Sequence, residues 1–71
     1  MKKALGNLDK IVGQNIKQFR KERSITQMDL GELMKISYQQ VQKYENGRNR
    51  ISAVNLYRIS KYLNVPIDCF F

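Results

Sequence analysis

The chain has 71 residues, 42% of them hydrophobic, with thirteen Lys and Arg against six Asp and Glu, no His and one Cys. Such a length makes one small domain, and the missing His excludes imidazole metal ligands and Ser-His or Cys-His catalytic pairs. Cys69 alone forms neither an internal disulfide nor a thiolate zinc site. No nucleophile, base and orienting group can be assembled from the remaining Tyr, Lys, Asp and Glu, so a non-enzyme without metal or cofactor is expected. Absence of disulfide staples fits a cytoplasmic domain. Apolar runs of two or three residues are too short to span a membrane, and no signal-peptide core follows Lys2-Lys3.

The net charge of +7 asks for a polyanionic partner or serves solubility alone. Its distribution is informative. Residues 1–25 hold seven bases and two acids, residues 26–45 two bases and three acids, and residues 46–71 four bases and one acid. Positive charge therefore flanks a nearly neutral centre, where a polybasic tail would load one end.

Along the chain, Leu5, Leu8 and Ile11 either extend a first helix or belong to an arm ending in Lys2-Lys3. Val12, Ile16 and Phe19 then repeat at helical spacing until Ser24 breaks the segment. Thr26 caps a second helix, with Asp29 three places on as a capping box requires, and Leu30, Leu33 and Met34 on its apolar side. Ser37 and Gln40 form the same signature for a third helix, whose inward residues are Val41 and Tyr44. This helix stops at Asn46-Gly47, where glycine can turn left-handed. Ser52 caps a fourth helix carrying Leu56, Ile59 and Leu63, and Pro66 suits the first turn of a short fifth one ending at Phe70 and Phe71. Five short helices with tight connections predict a compact all-α domain. Cys69 reads as a buried thiol and Phe70 as core, whereas Phe71 is either a dimer contact or folds back on helix one.

Only a few residues around Lys35, Ile36 and Ser37 join helices two and three, so the two must cross steeply, as in a helix-turn-helix. Helix three then turns Tyr38, Gln39, Gln42 and Lys43 to one exposed, acid-free face, because positions i, i+1, i+4 and i+5 lie together. Those side chains suit base edges: a Gln amide can pair with adenine N6 and N7, and Lys can reach guanine O6 or N7. Tyr can contact a thymine methyl or a phosphate. The duller reading is an ordinary solvated face, which the tight turn and the flanking basic charge disfavour.

The stretch from Thr26-Gln27 through Leu30-Gly31, Ile36-Ser37, Val41 and Tyr44-Glu45-Asn46-Gly47 to Leu56, Ile59, Leu63, Val65 and Phe70 resembles the Cro/phage-repressor helix-turn-helix family, also called XRE. The likeness runs from about Val12 to Phe71. It implies a five-helix lambda-repressor-like domain over residues 10–71, preceded by a basic arm or helix extension over 1–9. It also implies roles: Tyr38, Gln39, Gln42 and Lys43 towards bases, and Gln27, Gln40, Asn46, Arg48 and Arg50 on the DNA backbone. Arg20 and Glu45 match a partly buried structural ion pair. Two positions depart from the family pattern: Gly31 replaces its usual Ala, a change tolerated by close packing, and Lys35 replaces its turn Gly. Lys35 must turn left-handed or reshape the turn. Leu33 also stands where the family is often polar.

Together these features predict a sequence-specific bacterial or phage-type transcriptional regulator, a repressor, binding a double-stranded operator as a homodimer through helix five. No membrane or small-molecule ligand is expected as partner. The alternative is a protein-interaction module on the same fold, an antitoxin or a coactivator-like adaptor, for which an exposed apolar groove would be the sign.

Overall fold

Apolar residues three and four positions apart fold this chain into helices that share one core. The computed structural model describes residues 7–71; expectations for Lys2, Lys3 and Leu5 lie outside the described residues. Four α-helices follow one another: α1 (Leu8–Glu22), α2 (Gln27–Met34), α3 (Tyr38–Glu45) and α4 (Ala53–Leu63). A 3-10 turn, Ile67–Phe70, closes the order, and no strand occurs among the described residues. Leu8 and Asp9 are thus the first residues of α1.

Caps fix where three of these helices begin. Thr26 Oγ1 accepts from Asp29 N at 3.0 Å and Asp29 Oδ2 accepts from Thr26 N at 3.1 Å, a reciprocal capping box. Ser37 and Ser52 accept from the amides of Gln40 and Asn55, each at 3.1 Å. The Thr26 amide, then its hydroxyl, holds the Asp29 carboxyl below its ordinary value of 3.8. At the other end of α2, Lys35 takes the left-handed conformation (φ 59°, ψ 42°), and Ile36 N closes onto Gly31 O at 2.9 Å. The turn therefore keeps its shape, at a cost of about 1–2 kcal/mol for a residue with a Cβ.

Val12, Ile16, Leu30, Met34, Val41, Leu56, Ile59, Leu63, Val65 and Phe70 form the core. Phe19 meets Phe70 edge-on, with ring centroids 5.5 Å apart, and Asn15 Nδ2 donates to the Phe70 carbonyl at 2.7 Å. These contacts draw the end of the chain onto α1.

The sequence reading needs correction at three places. The expected short fifth helix is a four-residue 3-10 turn, held by an i→i+3 bond from Cys69 N to Pro66 O at 2.9 Å. Cys69 is exposed, because a turn that points Phe70 into the core points its neighbour outward. Gly31 is more constrained than close packing suggested. A Cβ there would lie 2.8 Å from the Ile36 carbonyl oxygen, so the turn backbone rests directly on α2.

Candidate nucleic-acid interface

The exposed side of α3 is built from beneath. Val41 is buried in the core and Glu45 is 4% exposed, which leaves Tyr38, Gln39, Gln42 and Lys43 facing outward. Gln40 is half-buried. The outward four form one surface without a carboxylate, carrying two amides, a phenol and an ammonium.

An ion pair sets the height of this helix. Arg20 Nε donates to Glu45 Oε2 at 2.7 Å, Arg20 Nη2 to Oε1 at 3.2 Å, and Arg20 Nη1 to the Ile25 carbonyl at 2.8 Å. The two side chains are 7% and 2% exposed, so the charges are shielded from water and neutralise each other. Two charges in that setting hold only when their remaining donors and acceptors are used, and no buried side-chain polar atom among the described residues lacks a partner.

Gln27, at the start of α2, joins this pair to the surface. Its Nε2 donates to Glu45 Oε1 at 3.0 Å, and its Oε1 accepts from Gln42 Nε2 at 3.2 Å. The α1–α3 crossing runs through Gly13. A Cβ on Gly13 would collide with the carbonyl oxygen of Tyr44 and lie 2.7 Å from that of Glu45. Sequence reasoning passed over Gly13, although a glycine inside a strong helical pattern signals such an approach.

Beyond α3, Asn46, Arg48 and Arg50 are exposed. Arg48 N donates to the Lys43 carbonyl at 2.9 Å, and Gly47 (φ 73°) turns the chain away from the helix axis. Arg50 has a local partner: its Nε lies 3.2 and 3.3 Å from the two Asp9 oxygens. That bridge ties the loop to the first turn of α1, yet Arg50 stays 82% exposed and its guanidinium remains open to water. Asp9 offered no local sequence signal for this pairing, which spans 41 positions. Among the described residues no group of His, Cys, Asp or Glu is arranged to hold a metal, and no helix is long and apolar enough to cross a membrane.

A helix-turn-helix family model matches residues 16–68. The chain is 48% identical over 69 residues to an uncharacterised transcriptional regulator in the ATPase CF(0) region of Rhodospirillum rubrum, covering 97% of this chain and 64% of that one. It is 44% identical over 70 residues to an uncharacterised helix-turn-helix-type transcriptional regulator of Sinorhizobium medicae, covering 99% and 50% respectively. The chain thus spans about half to two thirds of the length of these relatives. Its fold superposes on the clp gene regulator ClgR of Corynebacterium glutamicum with a TM-score of 0.84 at 22% identity, covering 89% of this chain and 82% of that one. The restriction-modification controller protein C.AhdI of Aeromonas hydrophila gives 0.82 at 24% identity, over 93% and 98%.

Proposed function

This chain belongs to the Cro/C1-type (XRE) helix-turn-helix family, and from that membership we propose that it is a sequence-specific double-stranded DNA-binding regulator of transcription. One observation carries the reading: α3 presents Tyr38, Gln39, Gln42 and Lys43 as a single exposed, acid-free face. α3 enters the major groove with those four towards base edges, where amides and the ammonium match base donors and acceptors. Gln27, Gln40, Asn46, Arg48 and Arg50 hold sugar-phosphate and set the register. The lone neutral centre chooses the site, and the surrounding bases supply the attraction.

The domain acts as a cytoplasmic repressor, occupying an operator to the exclusion of other proteins. It does so as a homodimer, since two copies related by a two-fold axis match half-sites about 34 Å apart. Phe71, 60% exposed beside the 3-10 turn, supports a self-association surface there. A protein-interaction module is the competing reading. It draws on Val54 and Tyr57 of α4, which are 68% and 55% exposed.

Duplex binding measured against salt separates the two. A DNA reader loses affinity steeply as salt rises, whereas an adaptor shows no duplex binding to lose. Within the DNA reading, Gln39→Ala should cost roughly 1–3 kcal/mol on a specific site and little on random duplex. Equal losses on both would remove Gln39 from the base-reading set.

A further inference from the structure

Four side chains form a line of hydrogen bonds from the core to the outer face of α3. Arg20 binds both oxygens of Glu45, Gln27 Nε2 donates to Glu45 Oε1, and Gln42 Nε2 donates to Gln27 Oε1. The direction of this line is chemically determined. A carboxylate paired with a guanidinium has only acceptors to offer. Were Gln27 to flip its amide, its carbonyl oxygen would oppose the Glu45 oxygen, acceptor against acceptor. Gln27 must therefore show nitrogen to Glu45 and oxygen to Gln42. Gln42 must in turn show its nitrogen to Gln27, leaving its own Oε1 free.

Resting on the DNA-reading role proposed above, we infer that Gln27 is a positioning residue that sets the sense of the Gln42 amide, and that Gln42 is thereby committed to a base carrying an exocyclic amine. In the major groove those amines are adenine N6 and cytosine N4, which would donate to Gln42 Oε1. With adenine, the second N–H of Gln42 remains for N7. In that same register guanine O6 and thymine O4 would place an acceptor against the carbonyl, and the second N–H could reach them only by a sideways shift that gives up the bidentate pairing. A free glutamine could turn its amide over and satisfy either kind of edge. One fixed from behind cannot, and it also loses less freedom on binding. The sense of the Gln42 amide thus originates in a buried carboxylate whose own bonds run to Arg20 and Gln27.

Gln27→Met tests this with both Arg20 bonds to Glu45 left in place, and an unchanged backbone amide spectrum away from Gln27 and Gln42 checks that the fold is kept. In the free 71-residue chain, nitrogen-15 relaxation should show the Gln42 side-chain amide ordered like the backbone, and the exposed Gln39 amide mobile. In Gln27→Met, Gln42 should become as mobile as Gln39. Equal mobility of both amides in the unaltered protein would overturn the relay, whatever the chain does with DNA. Against duplexes carrying each base at every site position, Gln27→Met should lower the preference for adenine or cytosine at one position roughly tenfold and spare the others. A uniform loss of affinity with every preference intact would leave Gln27 a phosphate contact and overturn the inference. Absence of any base preference in the unaltered chain would overturn the base assignment together with the DNA reading, while the relaxation result still decides whether Gln27 orders Gln42.

Discussion

Glu45 accepts hydrogen bonds from Arg20 on α1 and Gln27 on α2, so one carboxylate on α3 joins three helices. Removing it strands a guanidinium that is almost entirely shielded from water. The expected cost of Glu45→Ala is about 3–5 kcal/mol, read as a fall in the urea midpoint; an unchanged midpoint would deny the pair its structural role. Gly13 is constrained by backbone on the facing helix, which cannot swing aside as a side chain could. Gly13→Ala should destabilise by about 1–3 kcal/mol in the same assay, and a neutral result would show that α1 can lift off α3 freely. Arg48 lies at the opposite extreme, exposed beyond the helix end. Arg48→Ala should weaken binding to all duplexes alike and reduce the log–log salt slope by about one. An unaltered slope would take Arg48 off the phosphate.

Among the elements, α2 shows how a short helix is held at both ends. Its capping box lowers the Asp29 pKa, so the carboxylate contributes stability fully above the unfolded pKa, about 3.9. That contribution disappears as the pH falls through the lower folded value. Asp29→Ala should therefore melt below the unaltered chain near neutrality, and the gap should narrow as the pH falls through the lowered folded value of Asp29. A gap persisting at pH 2 would assign the effect to something other than the charge. The helix boundaries were legible because Thr26, Ser37 and Ser52 carry chemistry readable locally: each cap lies within three residues of its partner. The 3-10 turn was not. Pro66 announces a helical start equally for either geometry. Cys69 followed the same error, since its exposure depends on which residue of that turn goes inward.

Across the whole molecule, what the sequence conceals is long-range. The face of α3 follows from helical periodicity, and the crossing of α2 and α3 follows from a short connection. The Asp9–Arg50 bridge and the Gln27–Gln42 contact depend on how helices settle against one another, which no local pattern encodes. Lys35 lay between these cases: its left-handed conformation was one of two outcomes open to a non-glycine residue in that turn. The charge of +7 likewise acquires meaning only from its arrangement about the α3 face. In the function proposed above, basic groups would attract the duplex over distances comparable to the Debye length, and short amide contacts would discriminate once it arrives.

Selection of bound duplexes from a random-sequence pool at about 0.15 M salt tests that division of labour most directly. Sequence-specific reading by a two-fold dimer predicts an enriched motif with two inverted half-sites one helical turn apart, about 10 base pairs. Recovery of duplexes with no shared sequence, or no retention of duplex at all, would contradict the assignment of α3 to the major groove.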